Sequence, residues 1–428
     1  MRRILVLTST ILVVLSTAAG TSSAVLPSAL APVVAAGPVA PITVGGPVTP
    51  IKVAGPVAPI TVAGPVAPIT FAGPVTPITV AGPVAPITFA GPVAPIMLAG
   101  PVTSIKGTTS WAGPQIRTVT AAAILGSDPV TFRPSDPLTR GELAEALTTW
   151  GKRAVTPADP THRVTMRELD AQLVFALGLQ PAAQRIRIAA RDAGLAPTSR
   201  LGTETVARLL GLRLNHPQGS DDLELLPSQP ATRAEAAYSF ARVLQLTPGQ
   251  IAYVDQLSQT FTLPELDDWQ RSVLERGLRF VGFPYVWAGT SEKTQKLWSA
   301  TAPGGLVTAP GGFDCSGFVW RVYKTQPFAG APLLGDILKG RTTYAMSAEV
   351  EKPARIGLAD LAPGDLIFFG KRGVRSTPTE VGHAGIYVGN GWLVHSSSAG
   401  VTLQPLQGWY STTFAWARRP LAEAGLTA

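Results

Sequence analysis

Apolar residues follow three different periods along this chain of 428 residues. The first is a strict repeat of nine. Gly37, Gly46, Gly55, Gly64, Gly73, Gly82, Gly91 and Gly100 each open a unit built on Gly-Pro-Val-(Ala/Thr)-Pro-Ile-(Thr/Lys)-(Val/Phe/Leu)-Ala; the first ends in Gly45, and the last is shortened, with Ser104 in place of Pro. Two prolines per unit rule out helix and remove donors that a central strand needs. The expectation is an extended linker of polyproline-like character, about 70 residues reaching ~200 Å at ~3.1 Å per residue. A stacked solenoid is the alternative, because short fixed periods build such turns.

From about Gln115 to Leu246 the spacing becomes helical and the composition turns to Ala, Leu, Arg and Glu. Two segments are alike, Leu138-Thr139-Arg140-Gly141-Glu142-Leu143 and Ala231-Thr232-Arg233-Ala234-Glu235-Ala236, and Thr165-Met166-Arg167-Glu168 is a weaker third copy. Each places Thr as N-cap and Glu at the third helical position, a capping box before an apolar run. A further helix is predicted over Leu263–Phe280, with Leu266, Trp269, Val273, Leu274 and Leu278 on its apolar side.

The third pattern begins near residue 281, where glycines, aromatics and short alternating runs predict one compact α+β domain. Cys315–Tyr323 is an apolar run at helical spacing behind Asp314, a good N-cap. Val381–Val388 alternates, Gly389-Asn390-Gly391 is a hairpin signal, and the return strand carries Leu393 and His395 on one face. Two paired strands then bring His383 and His395 side by side.

Cys315 is the only cysteine in the chain. At a helix start, unpaired N–H groups and the positive dipole end lower a thiol's pKa. A thiol, a base and a group that orients the base are the parts of a cysteine hydrolase. No Cys/His/Asp spacing reads as a metal site, and no cofactor is expected.

The opening reads as a secretory leader over residues 1–24. Arg2 and Arg3 precede a stretch from Ile4 to Leu15 that is apolar apart from Thr8-Ser9-Thr10, and Ser22 and Ala24 suit cleavage after Ala24. That stretch is too short for a stable membrane span. The formal net charge is +8, and no Asp or Glu precedes Asp128. Such a chain is drawn to anionic polymers such as cell-wall polysaccharide. No dense Lys/Arg stripe with interleaved aromatics marks a nucleic-acid partner.

Two resemblances follow from these residues. The Thr-Arg-x-Glu copies resemble the S-layer homology module, which implies a helical domain over 114–250 that holds anionic wall polysaccharide. Arg140 and Arg233 would then be the polar contacts, with Glu142 and Glu235 orienting them. Trp111 stands where a remnant of the module's opening aromatic would be. Residues from about Gln270 to Leu421 resemble the NlpC-type cell-wall cysteine peptidases. Four pieces match in order: Gly282-Phe283-Pro284-Tyr285-Val286-Trp287, Phe313-Asp314-Cys315-Ser316-Gly317-Phe318, Pro363-Gly364-Asp365-Leu366-Ile367-Phe368-Phe369, and His383-Ala384-Gly385-Ile386-Tyr387-Val388-Gly389 leading to His395.

This second resemblance implies a papain-like α+β fold over 251–428 and cleavage of peptidoglycan stem peptides between γ-linked D-glutamate and the diamino acid after it. It implies Cys315 as nucleophile, His383 as general base and His395 as orienting residue. Tyr285 would line the site and help the oxyanion, while Asp314 and Ser316 would contact substrate. Ala288 departs from the family's usual Gly, with a small effect expected. The stretch from Gly330 to Ile356 reads as an insertion that narrows the groove or acts as a lid. Asp365 reads as structural. The whole architecture expected is a leader, a repeat linker over 25–113, the helical domain and the peptidase domain, exported and held at the wall. The alternative function is a catalytically silent wall-binding protein that uses the same fold.

Overall fold

The computed structural model describes ten short backbone strands between Val13 and Leu98, and residues 110–152, 156–213, 224–298, 305–325 and 327–426. Arg2, Arg3 and Ser22 of the expected leader lie outside the described residues.

The repeat strands correct the extended-linker expectation. With three strands ahead of Gly37, Val13–Leu15, Ala24–Leu26 and Val33–Ala36, they form two parallel five-stranded sheets, one from alternate strands and one from the strands between them. Ile42 pairs with Ile60, and Ile51 with Ile69, so each strand meets the equivalent residues two units further on. The strand residues are the Ile-Thr-Val-Ala part of each unit. Each proline falls outside them, so none removes a donor from the ladder. This is the stacked alternative.

Residues 110–428 form one compact unit. Its first part is helical: α1 Gly113–Ala121, α2 Arg140–Thr149, α3 Met166–Ala176, α4 Gln180–Asp192, α5 Leu201–Leu210, α6 Arg233–Gln245 and α7 Pro248–Thr260. The domain boundary expected at 250/251 falls inside α7, which packs on α4 and α5. Trp111 packs its ring on Tyr238 of α6.

The Thr-led helix starts do what capping boxes do. Glu142 and Glu168 reach back to the N–H groups of Thr139 and Thr165 at 2.9 and 2.8 Å, and Thr232 accepts from Glu235 N at 3.2 Å. The residues just ahead of them meet in a ring. Leu138 N donates to Ala231 O at 2.7 Å, Ala231 N to Val164 O at 2.7 Å, and Val164 N to Leu138 O at 2.8 Å. A second ring repeats the pattern, from Arg140 N to His162 O, Met166 N to Gln229 O and Arg233 N to Asp136 O. Three chain segments far apart in sequence thus satisfy one another's backbone groups, which burial demands.

The C-terminal part opens with α8, Asp268–Leu278. It starts later than the Leu263 expected, because Pro264 intervenes and Asp267 is the cap, accepting from Gln270 N at 2.7 Å. The central sheet is antiparallel: β1 Leu366–Gly370, β2 Val381–Gly389, β3 Trp392–Ser397, β4 Gly400–Pro405 and β5 Phe414–Arg418, in the order β4-β3-β2-β1-β5. Helix α9, Cys315–Tyr323, buries Phe318, Val319, Val322 and Tyr323 against β2 and β3. Each such side chain contributes about 1.5–3 kcal/mol of transfer free energy. On the opposite face, Ile367, Phe369, Leu393, Phe414 and Ala417 form a second core.

Asp365 is structural, as its turn position implies. Its carboxylate is fully buried, accepting from Ala362 N at 2.8 Å and from Arg419 at 2.8 Å. The Gly330–Ile356 stretch is ordered by α10, Thr343–Ala348, which packs on β2 with Thr343 Oγ1 bonded to Val381 O at 2.9 Å.

Candidate active site

Three elements deliver the site. Asp314 caps α9 through the Gly317 N–H, at 2.5 Å, so Cys315 stands in the first helical turn. Strand β2 brings His383. Strand β3 brings His395, whose direct neighbour across the ladder is Gly385. A Cβ on Gly385 would lie 2.9 Å from that of His395, so glycine leaves the room in which the two imidazoles meet. The turn between the strands has Asn390 at φ 45° and Gly391 at φ 78°, as a two-residue hairpin needs.

His383 Nε2 lies 2.9 Å from His395 Nδ1, with the rings nearly perpendicular. His395 is fully buried. Its Nε2 makes no hydrogen bond of standard geometry, and Gln404 of β4 is the side chain that acts on it. His383 is half-buried among the rings of Phe369, Trp409 and Tyr410. Burial pulls its pKa down to about 4. His395 falls well below the usual histidine value, from burial and then from the neighbouring His383 charge.

The Cys315 sulfur faces the backbone N–H groups of Ser316 and of Ala384, the residue after His383. The lowered thiol pKa expected at a helix start is not found. Burial, followed by the Asp314 carboxylate, pushes it up to about 11, and the N–H groups offset only part of this. Thiol and imidazole are both neutral in this geometry, because burial penalises the charged form of each.

Tyr285 lies beside them. Burial raises its pKa, and the Cys315 and Asp314 charges add to the effect. The Asp314 carboxylate is only 8% exposed and is paired with Arg341, which donates from Nη2 to Oδ2 at 3.2 Å and from Nη1 to Ser316 Oγ at 2.6 Å. Arg341 also reaches Ala288 O at 3.1 Å. Ala288 sits at φ 61°, the left-handed region that glycine takes without strain, so this departure from the family pattern carries a backbone cost.

The structure therefore brings together Cys315, His383, His395, Tyr285, Asp314 and Ser316. Arg341, from the Gly330–Ile356 stretch, joins them, and sequence reasoning passed over Gln404, Trp409 and Tyr410. The Gly-Trp-Tyr run was the available signal for the last two.

The helical module pairs its charges differently from the expectation. Arg140 meets Glu168 at 3.0 Å, and Arg233 meets Glu142 at 2.5 Å. The pairs run between copies, because each Glu turns back on its own N-cap and faces the next copy around the ring. Arg233 is 7% exposed and gives its other donors to Phe132 O and Leu125 O at 2.8 and 2.6 Å. In the copy that starts at Thr165, Met166 stands where the others have Arg. Glu235 is buried instead near Arg213, and burial lifts its pKa to about 8. Arg140 borders a groove of about 300 Å³ with Leu143, Leu147, Val164, Glu168 and Gln172.

The chain carries a match to the NlpC/P60 family over residues 282–419 and to the S-layer homology domain over residues 105–144. A probable endopeptidase of Mycobacterium tuberculosis is 32% identical over 133 residues, covering 31% of this chain and 25% of that protein. A γ-D-glutamyl-L-lysine dipeptidyl-peptidase of Bacillus cereus is 32% identical over 194 residues, covering 42% of this chain and 46% of that protein. A solved NlpC/P60 family structure from Bacillus cereus is 27% identical, covers 38% of this chain and 43% of that one, and superposes with a TM-score of 0.26. The chain thus spans between a quarter and a half of these relatives' length.

Proposed function

We propose that this chain is an exported peptidoglycan endopeptidase that cleaves stem peptides between γ-D-glutamate and the following diamino acid through an acyl-enzyme. The observation that carries the reading is the His383–His395 hydrogen bond beside a helix-start cysteine. In the reaction the Cys315 thiol proton passes to His383 as sulfur attacks the scissile carbonyl. The oxyanion is held by the Cys315 N–H and the Tyr285 hydroxyl. As the tetrahedral adduct collapses, His383 hands the proton to the leaving amine. Water then attacks the thioester, giving up a proton to His383, and frees Cys315 with the new carboxylate. His395 holds the His383 ring, as the third member of a triad does.

The proposal extends to place. The helical module holds the enzyme on anionic wall polysaccharide, with half-exposed Arg140 as the contact and half-buried Glu142 and buried Arg233 and Glu235 as its frame. Among the described residues no helix is long and apolar enough to cross a membrane.

The raised thiol pKa favours a second reading, a catalytically silent wall-binding protein. One experiment separates the two. The full chain is incubated with a synthetic stem peptide carrying the γ-D-glutamyl bond, and amine release is followed. Steady release that is lost in His383→Ala supports the enzyme. No release, with the chain still sedimenting with walls, supports the binding protein.

A further inference from the structure

One arginine of the helical module reaches two backbone segments of the peptidase part. Arg208, near the end of α5, is 5% exposed. Its Nη1 donates to Ala399 O at 2.7 Å, and its Nη2 to Gly282 O at 2.7 Å and to Glu224 at 2.5 Å. Glu224 also holds Arg213 at 2.8 Å, and Arg213 holds Asp170 at 2.8 Å. The guanidinium is thus fixed from behind by a buried ion cluster and from the front by two carbonyls.

Those carbonyls sit at the base of the segments that carry the site. Gly282 opens the run to Tyr285. Ala399 lies in the turn that joins β3, which bears His395, to β4. The two segments bond to each other through Gly282 N to Val401 O at 2.9 Å and Val401 N to Phe283 O at 2.8 Å. Both also lead to Cys315. Phe313 N donates to Pro284 O at 3.2 Å, and Ser396 Oγ donates to Phe313 O at 2.6 Å. The fit is close. A Cβ on Gly400 would lie 2.7 Å from Arg208 Nη1, and one on Gly282 would lie 2.3 Å from Glu204 Oε2.

We infer that Arg208 is a positioning residue for the reaction: by tying Gly282 O to Ala399 O, it sets the distance between Tyr285 and His395 around Cys315. The helical module is then part of the catalytic frame as well as a wall anchor. The inference rests on the proposed roles of Cys315, His383 and His395.

The test uses the full chain carrying Arg208→Met or Arg208→Lys. It measures kcat and KM on the stem peptide and the pH profile of Cys315 alkylation by iodoacetamide. A misplacement of ~1 Å costs on the order of 100-fold in rate. Arg208→Met is therefore expected to lose kcat on that scale while KM stays within about threefold, and the alkylation profile is expected to shift with it. Lysine, which reaches one carbonyl, is expected to recover part of the loss. Should Arg208→Met not fold, the Arg208→Gln/Glu224→Gln pair removes both ends of the ion pair and serves in its place. A folded variant with wild-type kcat and an unshifted alkylation profile overturns the inference. If the wild type cleaves no stem peptide, the proposed function fails, and the alkylation profile still decides the role of Arg208.

Discussion

His383 Nε2 and His395 Nδ1 lie 2.9 Å apart, so one proton serves both nitrogens. For the other nitrogen of His383 to act as a base, Nε2 must carry that proton and His395 Nδ1 must accept it. Protonating both rings would set two charges against each other in a buried site.

Acid therefore attacks this pair in a defined window. Both folded-state values lie below the ordinary histidine value, with His383 near 4. The folded state binds fewer protons than the unfolded one. Its stability contribution is complete above pH ~6.5 and is lost as pH falls toward about 4. Peptide cleavage is expected to keep its rate down through pH 6 and to fail nearer 4, with the melting temperature declining over the same interval. A kcat/KM profile whose acid limb stands at 6.5 contradicts this.

Asp314 acts as helix cap and as a charge that opposes ionisation of Cys315. Asp314→Asn keeps an N-cap acceptor and removes the charge. Alkylation of Cys315 at pH 8 is expected to speed up by about threefold to tenfold, up to one pKa unit. Arg341→Gln leaves the Asp314 charge uncompensated and is expected to slow it by a similar factor. Stopped-flow alkylation reads both, and equal rates in the two variants contradict the assignment.

The two arginines of the helical module differ in what they hold. Arg233 is buried over three acceptors, and its removal strands the Glu142 charge. Arg233→Ala is expected to cost about 3 kcal/mol in urea unfolding. Arg140 and Glu168 are both more than a third exposed, with side-chain values of 41% and 37%. Arg140→Ala is expected to cost under about 1 kcal/mol. The same variant should weaken sedimentation with purified walls, and unchanged sedimentation removes Arg140 as the contact.

Ala288 at φ 61° pays a steric cost that glycine escapes. Ala288→Gly is expected to raise stability by up to about 1 kcal/mol, after the entropy of the added glycine is set against it. Thermal unfolding of the two chains checks this, and a lower melting temperature for the glycine variant contradicts it.

Much of the site was legible because its signals are local. An Asp cap ahead of an apolar run placed Cys315, and alternation on either side of Gly389-Asn390-Gly391 placed two histidines on one face. The helix starts at Thr139, Thr165 and Thr232 were legible for the same reason. Distance in sequence hid the rest. Arg208 acts on Gly282 and Ala399 across long stretches of chain. The ion pairs cross between copies because three segments close a ring, and no single copy shows that. The thiol's raised pKa comes from burial, which the helix-start rule leaves out. In the repeat, proline counts pointed to an extended chain, whereas the position of each proline beside Ile-Thr-Val-Ala is what permits the ladder.

The most direct measurement is mass spectrometry of fragments released from purified peptidoglycan by the full chain, beside a Cys315→Ala control. Stem-peptide fragments with a new γ-D-glutamyl carboxyl end, formed only when Cys315 is present, are the predicted result. Identical spectra from the two proteins, both remaining bound to the wall, would contradict the peptidase and leave a wall-binding protein in its place.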